Sequence, residues 1–193
     1  MFDLSLFRMG YFILYKTDNS LFSGAIVNRQ IAAGFNAVDA QYTHIEVSGG
    51  SEYAINISPP ISKLVKITEA HKGRYVSLVR FKNVSYETGK RYKVAYFSAT
   101  LCNRGYDIPG VLAFIFKWIR QKNRLWFCSE GAAWALSMVF PWAFGDLTPD
   151  KIMPAHFLDK DKFEVVWEGI IEIFSPEIRN NHRNPIPLIF AHW

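Results

Sequence analysis

Leu125-Trp126-Phe127-Cys128-Ser129-Glu130-Gly131-Ala132-Ala133-Trp134-Ala135-Leu136 is the stretch from which the rest of the chain is best approached. Three bulky apolar residues lead into a cysteine, and small helix-compatible residues follow it. The pattern predicts a buried helix with Cys128 in its first turn. The first N–H groups of a helix have no intrahelical partner and carry partial positive charge. A thiolate placed there is stabilised, and its pKa can fall from ~8.5 to roughly 3.5–7.5, further beside a protonated histidine. Ser129 and Glu130 suit a polar, acidic first turn. The plainer reading of a buried cysteine is a small hydrophobe. What separates the two readings is whether the chain also supplies a base and a group to orient it.

Composition sets the outer bounds. The chain has 193 residues, 50% of them apolar and 16% aromatic, which is a globular composition with room for one substantial core. No repeat, linker or low-complexity segment interrupts it, so one domain over 1–193 is expected, with 175–193 as a loosely structured tail rich in Pro, Asn and Arg. The formal net charge is +5. Basic residues gather at Lys63, Lys66, Lys72 and Arg74, at Lys90, Arg91 and Lys93, and at Lys117, Arg120, Lys122 and Arg124. Such groups are either ordinary solvated surface or an attraction to an anionic one, such as cell-wall polymer or phospholipid. No zinc finger, helix-turn-helix or RNA-binding signature accompanies them, so nucleic acid is not an expected partner.

Two cysteines, Cys102 and Cys128, make no disulfide framework and suit a reducing compartment. The opening Met1-Phe-Asp-Leu-Ser-Leu-Phe-Arg8 is broken by Asp3 and Arg8 and does not read as a secretory leader, so a cytoplasmic location is expected. The most apolar run, Ile108 to Ile119, contains Lys117 and is too short to span a bilayer. No transmembrane segment is expected, and peripheral membrane contact stays open.

Outward from the cysteine, the elements alternate in type. Gly10–Lys16 and Thr43–Ser48 read as strands, with Gly49-Gly50 as a hairpin turn and Glu52–Ser58 as the returning strand. Pro59-Pro60 closes that strand, because proline cannot donate to a sheet ladder. Leu64–Thr68, Arg74–Phe81 and Phe163–Phe174 are further strands. Helices are predicted over 20–33, capped by the Asp18-Asn19-Ser20 cluster, over 86–101, and over 108–120, where Asp107 caps and Pro109 sits in the first turn. The cysteine helix runs from 128 to about 140 and stops at Pro141; Thr148-Pro149-Asp150 starts a short helix that Pro154 interrupts. The class is α+β.

The base is sought among five histidines. His44 lies in Tyr42-Thr43-His44-Ile45-Glu46-Val47, where alternation turns His44 and Glu46 one way and Ile45 and Val47 the other. The apolar pair goes to the core, leaving His44 outward or in a cleft. His71, beside Lys72 in a turn, His156 in a loop, and His182 and His192 in the tail carry weaker signals. No HxxxH or CxxC spacing occurs, so neither a metal nor another cofactor is expected. Across the hairpin, Asn56 and Ser58 share a face, so either can approach the imidazole and fix its tautomer. Glu46 and Glu52 are alternatives for that task. Cys102 and Asp107 read as structural, the latter as a helix cap.

These residues carry a resemblance. The sequence is similar to the circularly permuted branch of the NlpC-type papain-like superfamily, which includes YiiX-like bacterial and phage proteins and lecithin–retinol acyltransferase. Tyr42-Thr43-His44-Ile45-Glu46 resembles the family's histidine strand, and Tyr106-Asp107-Ile108-Pro109-Gly110 the start of its buried helix. Trp126-Phe127-Cys128-Ser129-Glu130 resembles its nucleophile motif, and Leu147-Thr148-Pro149-Asp150 a segment that follows. The order His44, Asn56, Cys128 is that of the permuted branch. The resemblance implies a papain-like antiparallel sheet packed on helices. It also implies Cys128 as nucleophile, His44 as base and Asn56 as the third, orienting residue, in a bacterial cell or phage-infected host. The third position is often Glu or His in related proteins, and Asn56 departs from that. Tyr42, Trp126 and Ser58 flank these positions and are expected to shape the substrate path. The expected activity is that of a thiol hydrolase cleaving an amide or peptide bond, as in cell-wall peptides. A lipid-directed thiol acyltransferase and a non-catalytic binding module on the same fold are the alternatives.

Overall fold

The computed structural model describes residues 2–18, 20–108 and 126–172. The expected helix over 108–120, apart from its first residue, and the expected tail lie outside them. Within the described residues the chain is α+β, with one six-stranded antiparallel sheet and four α-helices. The strands are β1 (Phe12–Lys16), β2 (Tyr42–Gly50), β3 (Tyr53–Asn56), β4 (Lys63–Lys66), β5 (Tyr75–Phe81) and β6 (Phe163–Ile170). The helices are α1 (Leu21–Ala32), α2 (Ile67–Ala70), α3 (Arg91–Ala99) and α4 (Cys128–Ser137). The sheet order is β4-β3-β2-β1-β5-β6, so β2 lies inside the sheet, between the short hairpin partner β3 and the wholly apolar start of β1.

Register shows what each face of β2 meets. Tyr15 pairs with His44 and Ile13 with Glu46, while Leu14 pairs with Ile45 and Phe12 with Val47. Residues paired across an antiparallel ladder share a face, so the expected alternation of His44 and Glu46 against Ile45 and Val47 is present. Both faces are covered, however. Ile45 and Val47 are completely buried, and Glu46 is only 1% exposed. An aromatic cluster of Phe12, Phe81, Phe140, Phe144, Phe157 and Phe163 fills the core beyond β1 and β5, with ring centroids 4.8–6.1 Å apart.

Element boundaries depart from the sequence reading where single residues intervene. The regular part of the expected 86–101 helix is only α3, because Gly89 (φ 150°) breaks the turn Tyr86–Lys90 before it. The hairpin turns at Gly50 and Ser51, both at positive φ, so β3 starts at Tyr53 and ends at Asn56. Val65 and Lys66 end β4, and Ile67 opens a one-turn helix instead of continuing the strand. Pro154 separates two 3₁₀ turns, Pro149–Lys151 and Pro154–Leu158. Helix α4 packs against β2 and α3. Gly131 permits the approach: a Cβ there would lie 2.4 Å from Ile57 Cδ1 and 3.0 Å from Leu101 Cδ1.

Candidate active site

Cys128 is the first residue of α4, as the sequence predicts, and it is 95% buried. The residue before it, Phe127, has extended backbone (φ −104°, ψ 169°) and no side-chain oxygen with which to cap the helix. Glu130 turns back instead and accepts the Phe127 N–H at 3.4 Å. The Ser129 N–H is thereby left to the Cys128 sulfur, which it hydrogen-bonds together with the Ile45 N–H. The sheet explains why Ile45 is available. Ser48 exchanges backbone hydrogen bonds with Gly10 and Tyr11, which lead directly into β1. The odd-numbered neighbours therefore turn toward β3. The β2–β3 register stops at Val47–Ile55. Ile45 points into the gap, and the start of α4 fills it.

Electrostatics at this point favour an ion pair. Burial pushes the Cys128 thiol up, but the His44 charge, the His44 hydrogen bond and the two backbone amides outweigh it and bring the pKa below its ordinary value. Burial likewise opposes a charged His44. The Cys128 sulfur and, behind it, Glu46 overcome this and raise the imidazolium to about 10. One atom thus prefers to lose its proton and the other to keep it.

Behind His44 stands Glu46, not Asn56. Glu46 Oε1 is 3.4 Å from His44 Nε2 and 2.7 Å from His71 Nε2, and Oε2 accepts the Tyr15 hydroxyl at 2.8 Å. Burial works against this carboxylate, yet its bonds to the two histidines hold it at about 2. Asn56 is 93% buried and lines the same cleft, but its Oδ1 has no hydrogen-bond partner and it does not take up the orienting position. Strand alternation, which sets Glu46 two residues from His44 on one face, was the signal for the carboxylate. His71 and Tyr15 had no local signal, because they arrive from 25 and 31 residues away from Glu46.

A cleft of about 410 Å³ opens beside the sulfur, lined among others by His44, Cys128, Asn56, Ser58, His71 and Tyr106. Ser58 is thus where a substrate-path residue should be. Tyr42 and Trp126 are not. Tyr42 donates to Glu168 Oε1 at 2.7 Å and lines a separate groove, and the Trp126 ring packs on Trp134 at 5.2 Å. Tyr106, read as the lead into a helix, lies against the nucleophile. Its hydroxyl oxygen accepts the Cys128 N–H, and the same hydroxyl hydrogen-bonds the sulfur. Burial and the neighbouring sulfur push this phenol well above its ordinary pKa, so it stays protonated and able to donate. Among the described residues no group of three or more His, Cys, Asp or Glu is placed to hold a metal ion. No helix among them is long and apolar enough to cross a membrane.

The arrangement supplies a sulfur at a helix start, an imidazole in hydrogen-bond contact with it, a carboxylate behind the imidazole and an open cleft in front. Chemically it can form and hold a thiolate–imidazolium pair and present it to an electrophilic carbon. Comparison of the chain with protein-family models, curated proteins and solved structures finds no match.

Proposed function

We propose that the chain is a thiol hydrolase that cleaves an amide or peptide bond through an acyl-thioester on Cys128. The observation that carries this reading is the hydrogen bond between Cys128, at the first turn of α4, and His44, at the mouth of the cleft. The resemblance of the histidine strand and nucleophile motif to permuted NlpC-type, papain-like enzymes supports the same chemistry.

The Cys128 thiolate attacks a carbonyl carbon and forms a C–S bond. His44, protonated, then gives its proton to the leaving amine as the C–N bond breaks, and the acyl group stays on sulfur. Water enters, His44 takes its proton, and hydroxyl displaces the thiolate to release the acid. With Nε2 engaged by Glu46, Nδ1 is the nitrogen left for these transfers. The negative oxygen of the tetrahedral intermediate needs donors aimed at it. In the resting site the Cys128 N–H is bonded to the Tyr106 hydroxyl. A substrate oxygen that takes this amide brings the hydroxyl within reach as a second donor.

A lipid-directed form of the same reaction has one observation in its favour. Phe22 lines the cleft and is 41% exposed, and Leu21 beside it is 97% exposed. Incubation with muropeptides followed by mass spectrometry tests the first form. Cleavage that disappears in Cys128→Ala is expected, and its absence across a muropeptide panel counts against it. A stable acyl adduct on Cys128 after exposure to liposomes would assign the lipid form.

A further inference from the structure

Glu46 is docked on something other than the histidine it serves. Its contact with His71 Nε2, at 2.7 Å, is far shorter than the 3.4 Å to His44 Nε2. An ionised carboxylate only accepts hydrogen bonds, so each ring nitrogen facing Oε1 presents a proton. Tyr15 occupies the other oxygen and lies against both rings, with centroids 4.4 Å from His71 and 5.6 Å from His44. His71 itself is fixed. It follows α2 directly, its N–H returns to Ile67 O at 3.0 Å, and its side chain is 13% exposed.

We propose that His71 is a positioning residue for the acyl-transfer centre, holding Glu46 ionised and in one orientation so that the carboxylate faces His44. The proposal rests on the hydrolase reading of Cys128 and His44 and adds a fourth member to that array. The physical ground is the cost of burying a carboxylate, which is tolerated only while donors satisfy it. During turnover the His44 ring gains and loses its charge through Nδ1, so its long 3.4 Å contact with Glu46 varies in strength and is not a constant anchor. Tyr15 and His71 do not exchange protons with substrate, and they hold both oxygens throughout. The titratable or charged groups around this carboxylate are Tyr15 on β1, His44 on β2 and His71 after α2. Arg74 acts on Tyr15, and Cys128 lies across His44. Without His71, Oε1 keeps only the long contact to His44, and burial drives the carboxyl toward its neutral form. His44 then loses its counter-charge and the sulfur loses part of its partner.

The test is alkylation of Cys128 by iodoacetamide across pH, read on its own peptide by mass spectrometry in the full chain. In His71→Phe, which keeps a ring against Tyr15 but has no N–H, the acid edge of the curve should move up. A shift of roughly 1 pH unit is the size associated with losing a nearby opposite charge. His71→Gln, which restores a donor, should recover most of that shift. A His71→Phe curve that overlays the wild type, or a His71→Gln curve displaced as far as His71→Phe, overturns the proposal. Should His71→Phe fail to fold, nitrogen–proton NMR of the wild-type rings decides. A protonated His71 Nε2 at neutral pH is expected, and a bare Nε2 overturns the assignment. Alkylation needs no substrate. A displaced curve without turnover of any acyl substrate would therefore strike the hydrolase reading and leave the His71 assignment standing.

Discussion

Helices α1 and α4 begin in opposite ways. At α1 the free N–H groups are consumed locally. Ser20 Oγ accepts the Ser23 N–H at 3.2 Å, and Asp18 Oδ1 accepts the Ser20 N–H at 3.1 Å and the Ser23 hydroxyl at 2.6 Å. Those bonds hold the Asp18 carboxyl well below its ordinary pKa. At α4 the cap position is a phenylalanine. The Ser129 N–H goes to the Cys128 sulfur and the Cys128 N–H to the Tyr106 hydroxyl. A capped start is a finished structural joint. An uncapped start that turns its donors onto a sulfur leaves the helix dipole available for charge that develops there.

The largest effects should come from removing what α4 has and α1 lacks. Cys128→Ala should abolish turnover. His44→Ala should reduce it by on the order of 10⁴ or more, the scale seen when a nucleophile's base is removed, and should push the alkylation curve of Cys128 toward the ordinary thiol range. Retention of both turnover and low-pH alkylation in His44→Ala would show that the helix start alone holds the thiolate. The pH window follows from the signs. Cys128 is lowered, so thiolate appears below the ordinary thiol range and is lost on further acidification. His44 is raised to about 10, so the pair persists through neutrality and turnover falls as pH rises through about 10. In stability terms, the His44 contribution is fully present below ~6.5, its unfolded value, and is lost as pH rises through about 10. The Glu46 contribution is present above ~4.3 and is lost as pH falls through about 2.

Next in size is Tyr106→Phe. The substitution keeps the ring and removes a hydroxyl that meets both the amide and the sulfur of Cys128. A kcat loss on the order of 10²–10³ is expected, as for other single oxyanion donors, with iodoacetamide labelling of Cys128 largely retained. Equal loss of labelling and turnover would mean that the hydroxyl serves the resting thiolate instead of the transition state.

How much of this was legible beforehand depends on how local each signal is. Cys128 at a helix start follows from three apolar residues giving way to small ones, and the strand bearing His44 follows from alternation. Glu46 was within reach on the same grounds, since residues two apart on a strand share a face. The hairpin face and the family resemblance point to Asn56 instead, but the structure leaves its Oδ1 without a partner. His71 and Tyr15 reach Glu46 across 25 and 31 residues, and Tyr106 reaches Cys128 from beyond the start of its helix; no periodicity encodes such a meeting. Tyr42 and Trp126 flank reactive residues in sequence, yet the irregularity between the Tyr15–His44 and Lys16–Tyr42 pairs and the turn into α4 direct them elsewhere.

Gly131→Ala asks whether the closeness of α4 to the sheet matters as much as its missing cap. The added carbon would meet Ile57 Cδ1 at 2.4 Å inside a filled core. Overpacking of this kind costs about 1–3 kcal/mol, measurable as a drop in the denaturation midpoint. The Cys128 alkylation edge should rise with it, because the helix start must withdraw from Ile45 for the core to accommodate the methyl. Loss of stability with an unmoved edge would mean that Ile57 yields and the helix does not.

The smallest effect belongs to the finished joint. Ser20→Ala removes the oxygen that takes the Ser23 N–H, and losing such a cap costs about 1 kcal/mol. The cost should appear as a lower denaturation midpoint, with the alkylation curve of Cys128 in place, because no hydrogen bond of Ser20 reaches the sulfur. The contrast between the helices is sharpest here. At α1 the cap oxygen serves the helix start and the neighbouring Asp18, whereas the same kind of amide at α4 sets the charge of a sulfur. A displaced Cys128 curve in Ser20→Ala would break that contrast and make the two helix starts parts of one electrostatic unit.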